Sequence, residues 1–520
     1  MKLMKDNETF KRKNLIEKDL LRQNTLLNVD DYYRMVGEFG IFHWILEMMF
    51  AFMFIVPALQ IYIMIFAAPE LDWKCVEGST VCYLKGPQTS KNNFRCNISR
   101  SEWEFVQDEG TKTVTVDFDL YCGSSWLIYM TSSVFYFGRL VGIFVMGWMA
   151  DVHGRKRALY PAYICVIFAQ MLEVMVPNIW LFLVFRFLCG FFVAGVFNNI
   201  LVLLSELVST RYRALANNII WMVWISGLCF SSLLAYYIRN WKTLFIICSA
   251  PYLLALLSYW FIPESPRWLR TEGRLEEAQK VFKKIAKWNK TKVEVKTSLS
   301  RPIKNIDEQH TTPLTLFKSD MVKSTFSQAM IWFANGLVYF GLSSTAGDLG
   351  GSVYLNFFLL SLAEAPSNAL AAYLPNRFGR KKIITIPLIL AGIFCVSIGF
   401  IPLTDDGKIL RVAFGVLGKF FCTVSFNTIV IWSFELFPTN IRSKGMSLGF
   451  MSGNVGSTAS PWIAQGLKVY SDPLPYLIMG GVALFGSLAG FALEETNGKD
   501  AKDTREQRVH EFIVENTTAI

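Results

Sequence analysis

Long apolar stretches separated by short polar segments run along almost the whole chain. A helix needs about 20 predominantly apolar residues to cross the hydrocarbon core of a bilayer, and twelve stretches come close to that length. We number them spans 1 to 12, and they cover 41–68, 125–148, 158–176, 179–204, 217–238, 242–262, 326–344, 352–374, 383–402, 409–434, 444–468 and 474–493. Spans 7 and 11 carry the weakest apolar signal, because both are rich in Gly, Ser and Asn. The pattern predicts an all-α membrane protein with twelve transmembrane helices.

The composition supports this prediction and argues against an ordinary soluble enzyme. Of the 520 residues, 52% are hydrophobic and only 18% are charged. The four histidines are dispersed, and neither a nucleophile–base pair nor a cluster of metal ligands is apparent. A phosphate-binding loop of the Gly-x-x-x-x-Gly-Lys-Ser/Thr type is also not found, so ATP-driven pumping has no support. We predict no enzymatic activity, no cofactor and no metal site.

The basic residues predict the orientation of the chain in the membrane. Lys and Arg are concentrated in the first forty residues and in the segment 263–325. Basic loops remain on the cytoplasmic side of a membrane, so both chain termini are predicted to be cytoplasmic. The first forty residues are polar and charged, and no cleavable signal peptide is apparent. The formal charge of +10 is therefore a topology signal, and nucleic-acid binding is not predicted.

This topology divides the chain into five segments. The predicted order is a cytoplasmic tail, a six-helix half with a large extracellular loop at 69–124, a cytoplasmic linker, a second six-helix half and a cytoplasmic tail. Their boundaries are 1–40, 41–262, 263–325, 326–493 and 494–520.

A short basic loop pattern occurs once in each predicted half. Gly147 to Arg157 reads GWMADVHGRKR, and Tyr373 to Lys382 reads YLPNRFGRKK, with matching positions 225 residues apart. A second pair agrees with the first, because Glu206 precedes Arg213 and Glu435 precedes Arg442 at the same spacing of seven. Duplicated halves of a membrane protein are typical of secondary transporters.

The repeated loops predict a cytoplasmic gate. Gly154 permits a tight turn, and Asp151 is placed to pair with a cation across the seam between the halves, or to cap the next helix. The alternative is that these residues only anchor the topology. The predicted gate residues are Asp151, Gly154, Arg155, Glu206, Arg213, Asn376, Arg380, Glu435 and Arg442.

The predicted extracellular loop carries its own chemistry. Four of the ten cysteines lie in it, at Cys75, Cys82, Cys96 and Cys122. Four cysteines outside the cell indicate two disulfides, with three pairings open. Asn97-Ile98-Ser99 is a glycosylation acceptor on the same side. We predict a glycoprotein of the plasma membrane.

Several motifs resemble those of one family. The loop patterns resemble the major facilitator superfamily, and further motifs are similar to its organic cation/anion transporter branch. These motifs are Gly37-Glu38-Phe39-Gly40, Val116-Asp117-Phe118-Asp119, Pro263-Glu264-Ser265-Pro266-Arg267, Leu349-Gly350-Gly351 and Glu435-Leu436-Phe437-Pro438-Thr439. The resemblance implies twelve helices in two halves, a small organic solute as partner besides the lipid bilayer, and facilitative or exchange transport by alternating access. It makes no prediction of oligomeric state.

Three positions depart from the family pattern. Asn376 replaces the acid of the second loop, and Glu494 replaces a proline after span 12. Asn454 occupies the span 11 position where cation carriers of the branch tend to have Asp and anion carriers tend to have Arg. The substrate charge is therefore left open by this position.

Ionisable and aromatic residues within the spans predict the substrate path. Charged residues at membrane depth are costly and usually face a cavity, whereas aromatic rings bind cations or flat groups. For each residue the alternative is a structural role in helix packing. The candidates are Glu47, Arg186, Trp332, Tyr339, Glu364, Asn427 and Asn454.

Two other functions agree with parts of the sequence. A sugar-porter-like carrier is disfavoured because its Gln-rich span 7 motif is not found and the loop at 69–124 is too long. A transport-inactive sensor with the same fold is favoured only by the departures at Asn376, Glu494 and Asn454.

Overall fold

A computed structural model describes residues 29–69, 71–84, 86–88, 93–106, 110–291, 313–318, 321–438 and 441–497. Much of the predicted tails and the middle of the predicted linker lie outside these ranges. The α-helices are α1 Val29–Val36, α2 Ile41–Ile61, α3 Ile63–Ala67, α4 Val114–Asp117, α5 Trp126–His153, α6 Arg155–Met175, α7 Ile179–Leu207, α8 Arg213–Tyr237, α9 Trp241–Leu256, α10 Pro266–Thr271, α11 Leu275–Trp288, α12 Val322–Ser344, α13 Val353–Leu362, α14 Glu364–Phe378, α15 Arg380–Phe400, α16 Asp405–Leu436, α17 Arg442–Ala464 and α18 Leu474–Phe491. The two strands are β1 Trp73–Cys75 and β2 Trp103–Phe105.

These helices account for all twelve predicted spans. Helices α2 and α3 form span 1, α5 to α9 form spans 2 to 6, α12 forms span 7, α13 and α14 form span 8, and α15 to α18 form spans 9 to 12. Within the described residues, ten spans are long and apolar enough to cross a membrane by composition. The two that are not apolar enough are α12 and α17, yet each is a continuous helix of 23 residues.

Close packing explains the polar composition of spans 7 and 11. A Cβ added at Gly336 would lie 2.2 Å from the carbonyl oxygen of Gly453. One added at Gly456 would lie 2.4 Å from the carbonyl oxygen of Phe333. Small residues allow membrane helices to approach this closely, and van der Waals contact between them drives association, since lipid tails are as apolar as large side chains.

Prolines coincide with irregular backbone in spans 1 and 8. Pro366 has no N–H, and its ring clashes with the carbonyl four residues earlier, which is Leu362, the last residue of α13. In span 1, Pro57 likewise leaves the Met53 carbonyl without a helical donor, and the Tyr163 hydroxyl donates to that oxygen at 2.8 Å. Span 1 then breaks at Tyr62, between α2 and α3.

Spans 1–6 and spans 7–12 form two helical halves that meet along a seam. Helix α5 packs on α17, and α8 packs on α13. The halves touch near the end of the bundle that carries the disulfides, which we call the disulfide end. There the rings of Trp126 and Trp462 stack at 6.4 Å, and those of Phe66 and Tyr354 at 5.7 Å.

The opposite end carries the two basic loops, and we call it the motif end. Between described residues, no hydrogen bond, ion pair or ring contact joins the halves there. Gly154 and Gly379 turn the chain at this end with φ of 105° and 92°, a region that favours glycine. The tight turn predicted at Gly154 is present.

The segment between spans 1 and 2 folds into a small domain. Strands β1 and β2 pair antiparallel, with Trp73 opposite Phe105. The disulfides are Cys75–Cys82 and Cys96–Cys122. The predicted two disulfides are therefore confirmed, and the structure selects one of the three pairings.

Helices α1 and α11 cover the motif end of the first half. The amphipathic α11 packs on α1 through Tyr32 and Phe282, whose rings stack at 5.0 Å. Asn289 donates to the Val36 carbonyl at 2.9 Å and accepts from the N–H of Phe42 at 2.9 Å. The end of α11 is thereby tied to the start of span 1.

Candidate functional site

A group of aromatic rings lies at the centre of the seam. The ring of Phe340 contacts those of Tyr62 at 5.8 Å, Tyr136 at 5.1 Å and Tyr339 at 5.1 Å. We call Tyr62, Tyr136, Tyr339 and Phe340 the central aromatic cluster. Its members come from spans 1, 2 and 7, so both halves contribute. The Tyr136 hydroxyl donates to the Ile61 carbonyl at 3.2 Å, beside the break in span 1.

A buried ion pair borders the cluster on the side of the second half. The Lys419 ammonium lies 3.2 Å from the Glu364 carboxylate and 3.0 Å from the ring centroid of Tyr339. It also donates to the Tyr339 carbonyl at 3.0 Å and to the Ser343 hydroxyl at 2.8 Å. Glu364 was predicted from the sequence, whereas Lys419 was missed. Its signal was a lone lysine in the apolar stretch of span 10. Since Glu364 is paired, it presents no free negative charge.

Arg139 borders the cluster on the side of the first half, and sequence reasoning missed it too. It lies in the middle of span 2 and is 8% exposed. Its guanidinium carbon is 5.8 Å from the ring centroids of both Phe197 and Phe340. Two of its nitrogens, Nε and Nη1, are buried without a hydrogen-bond partner. The signal available in the sequence was an arginine within an apolar stretch.

The two aromatic candidates of span 7 have different surroundings. Trp332 is buried within the second half, where its Nε1 donates to the Ser433 hydroxyl at 3.0 Å and its ring lies 4.6 Å from that of Phe450. Tyr339 belongs to the central aromatic cluster. The packing alternative therefore fits Trp332, and the site prediction fits Tyr339.

Two polar candidates make contacts within the second half. The Asn427 side chain donates to the side chain of Asn368, which links spans 10 and 8. Asn454 donates to the Phe450 carbonyl of its own helix at 2.8 Å.

The charged candidates of the first half make no described hydrogen bond, ion pair or ring contact with a cluster residue. Arg186 pairs with Glu173 at 3.5 Å, and both are fully buried between spans 4 and 3, which favours a structural role. Glu47 is buried in span 1, and neither of its carboxylate oxygens has a hydrogen-bond partner.

Comparisons with known proteins place the chain in a family. A family profile described as "Sugar (and other) transporter" matches residues 73–507. The "Organic cation/carnitine transporter 4" of Arabidopsis thaliana is 30% identical over 486 residues, which are 91% of this chain and 89% of that protein. The "Organic anion transporter 3" of Oryctolagus cuniculus is 30% identical over 79% of this chain and 76% of that protein.

The chain belongs to the major facilitator superfamily, in its organic cation/anion transporter branch. Among solved structures, the inward-open xylose transporter XylE of E. coli matches with a TM-score of 0.62 at 15% identity. The match covers 90% of this chain and 99% of the xylose transporter, and it supports the major facilitator fold. The protein is therefore a multi-pass membrane transporter, as the sequence predicted.

In this transporter the first basic loop is bound to its own half. Arg155 donates through Nη1 to the Ala150 carbonyl at 3.0 Å and through Nε to the Glu206 carboxylate at 3.1 Å. The N–H of Lys156 donates to the Glu264 carboxylate at 3.0 Å. Arg155 thus caps the C-terminus of α5 and links it to span 4. Glu264, which follows span 6, accepts a backbone N–H at the N-terminus of α6 and so caps that helix.

The second loop repeats this arrangement in the other half. Arg380 donates through Nη1 to the Pro375 carbonyl at 3.0 Å and through Nε to the Glu435 carboxylate at 3.0 Å. The Glu495 carboxylate accepts the N–H groups of Arg380 at 2.9 Å and Lys381 at 3.1 Å. The sequence duplication is therefore also a duplication of contacts.

The remaining gate candidates also contact their own half. Arg213 donates to the Ser205 carbonyl at 3.0 Å, and Arg442 donates to the Phe437 carbonyl at 3.3 Å. In the described residues neither lies within ion-pair distance of a carboxylate. In this arrangement it is Arg155 and Arg380 that pair with Glu206 and Glu435.

Two departures from the family pattern, Asn376 and Glu494, have different structural consequences. Asp151 lies 3.0 Å from the Arg155 guanidinium, with its side chain 73% exposed, whereas Asn376 leaves Arg380 without the corresponding ion pair. Glu494 replaces the proline, but the acid that follows it still binds the second loop.

One acid outside the membrane spans has a shifted pKa. Burial works to raise the pKa of Asp30, but the Arg267 guanidinium, which donates at 2.7 Å, and the N–H of Thr210 outweigh it and hold that pKa below its usual range. The carboxylate therefore stays ionised, and the contact between α1 and α10 weakens only in acid.

Proposed function

We propose that this transporter carries small organic ions by alternating access, with the central aromatic cluster as its substrate site. The observation that supports the proposal is the position of the cluster. It combines rings from both halves and is bordered by Arg139 on one side and by Lys419 with Glu364 on the other. Rocking of one half against the other would change this site directly.

The relatives favour organic ions over sugars. The curated relatives quoted above are named for organic cations, carnitine and organic anions. Aromatic faces bind organic cations and flat rings, and buried basic residues bind acids. The family profile also includes sugar carriers, and a sugar would use hydrogen bonds in place of these charges.

We infer that the motif end faces the cytoplasm and that the transporter works in the plasma membrane. The basic residues of both loops support this orientation. The disulfides at the other end support an oxidising, extracellular environment. With this orientation, the halves touch at the disulfide end and at the central cluster, and no described contact joins them at the motif end. This arrangement describes a carrier closed to the outside.

A competitive uptake panel tests the function. The panel contains a permanent organic cation, an aromatic carboxylate, a carboxylate zwitterion and a hexose, offered to cells that express the protein. We expect saturable uptake of at least one organic ion and none of the hexose. Hexose uptake alone would support the sugar carrier, and no flux despite normal surface expression would support the sensor.

Glycosylation tests the orientation. We expect enzymatic deglycosylation to shift the wild-type protein on a gel, and Asn97→Gln to abolish that shift, since Asn97 lies in the disulfide-bonded domain. Asn289→Gln is the matched control, because that sequon is predicted to be cytoplasmic and should leave the shift intact. A shift that survives Asn97→Gln would contradict the orientation.

We expect substitutions in the two basic loops to affect the uptake rate unequally. Asp151→Asn should lower the maximal uptake rate several-fold, because Asp151 is the exposed acid available to a cation across the seam in the outward-open state. Asn376→Asp should change it little, since Arg380 already pairs with Glu435. Initial uptake rates, normalised to surface protein, measure both. Equal losses would instead indicate that the loops serve only as topology anchors.

A further inference from the structure

Arg139 is a buried cation whose charge has no acidic partner. In the described part of the chain, no carboxylate lies within ion-pair distance of its guanidinium. The two other buried basic residues discussed above are neutralised, Lys419 by Glu364 and Arg186 by Glu173. The residues that border the central aromatic cluster therefore carry one uncompensated positive charge.

Such a charge is costly at membrane depth. An ionised group in the membrane interior is expected to pair, to face a cavity or to serve a substrate pathway. Aromatic contacts with Phe197 and Phe340 recover part of the cost, but they satisfy no N–H group. Nε and Nη1 remain buried donors without acceptors, and leaving such donors unsatisfied is unfavourable.

We propose that the missing acceptor is a carboxylate of the transported solute. The proposal rests on the function proposed above and narrows its substrate class to organic acids and carboxylate zwitterions. The planar guanidinium presents paired N–H groups that match the two oxygens of a carboxylate. The solute's remaining group then lies against the tyrosine rings, where an aromatic ring stacks or an ammonium binds the π face.

The position of Arg139 at the seam couples this contact to the transport cycle. It is carried by span 2 of the first half and touches Phe340 of the second half. A carboxylate bound here neutralises the charge, so the halves enclose the loaded site at lower electrostatic cost than the empty site. We therefore expect the protein to exchange one solute for another more readily than it returns without a bound solute.

Matched solutes test the proposal. Uptake is measured for a trimethylammonium carboxylate zwitterion and its methyl ester, and for an aromatic carboxylate and its primary amide. We expect wild-type uptake of the carboxylates, with the ester and the amide competing at least 10-fold more weakly. Arg139→Gln should raise the KM for carboxylates by roughly 10- to 100-fold, the loss expected for a charge-assisted contact. Arg139→Lys should recover part of it.

Binding measurements keep the test informative if a variant is poorly expressed. Purified wild-type protein should gain thermal stability from each carboxylate and not from its neutralised partner. Equal uptake of carboxylate and ester, or equal losses for both in Arg139→Gln without a change in KM, would overturn the proposal and leave the transporter assignment standing. No flux for any organic ion would overturn the proposed function, while a carboxylate-specific thermal shift lost in Arg139→Gln would still support this site. With neither flux nor shift, both proposals fail.

Discussion

Replacing Lys419 by Met should abolish uptake and lower the stability of the folded transporter by about 3–5 kcal/mol, the usual cost of breaking a buried ion pair. The substitution leaves the Glu364 carboxylate buried without its counter-charge. It also removes the donor to the Tyr339 carbonyl and the Ser343 hydroxyl. Thermal unfolding in detergent measures the stability, and initial uptake normalised to surface protein measures the transport.

The double variant Lys419→Met with Glu364→Gln separates folding from function. Replacing both partners of a buried pair is often nearly neutral for stability, so this protein should fold and still fail to transport. The Arg186–Glu173 pair supplies the matched control, since it is equally buried but neither residue makes a described hydrogen bond, ion pair or ring contact with a cluster residue. Arg186→Met with Glu173→Gln should keep both stability and uptake. Normal uptake by the Lys419 double variant would remove the pair from the proposed site.

Gly336→Ala should destabilise the transporter by about 1–3 kcal/mol, the range seen for overpacking. The new methyl group would lie 2.2 Å from the carbonyl oxygen of Gly453, and a backbone atom cannot move aside by changing rotamer. Spans 7 and 11 must separate, and this movement displaces Tyr339 and Phe340 on the same helix. We therefore expect a lower unfolding temperature and a reduced maximal uptake rate.

The same substitution at Gly481 is the control. A Cβ there meets nothing within 4 Å, so Gly481→Ala should be neutral or slightly stabilising, because Ala is the better helix former by about 1 kcal/mol. Equal stability of the two variants would show that spans 7 and 11 are not held at the distance described above.

Much of the site was predictable because charge is rare in apolar spans. Glu364 was identified in this way and lies beside the central aromatic cluster, through its pair with Lys419. Arg139 and Lys419 carried the same signal and were overlooked. Tyr339, a member of the cluster, was identified as an aromatic residue on the same helical face as Trp332. Trp332 was named for its spacing from Tyr339, but a shared helical face does not distinguish a ring in the site from a ring that packs against Gly449 and Gly453.

The sequence by itself determined the twelve spans, the two related halves and the family, since hydropathy and repeated motifs are local properties. It also determined that two disulfides were expected, but not which cysteines pair. Only the tertiary structure decided that pairing, because residues separated in the chain must meet in space. For the same reason it alone showed that Glu364 is neutralised by Lys419, that the loop arginines bind their own halves, and that Arg139 has no acid beside it. Each of these depends on distances between different helices, which no local pattern contains.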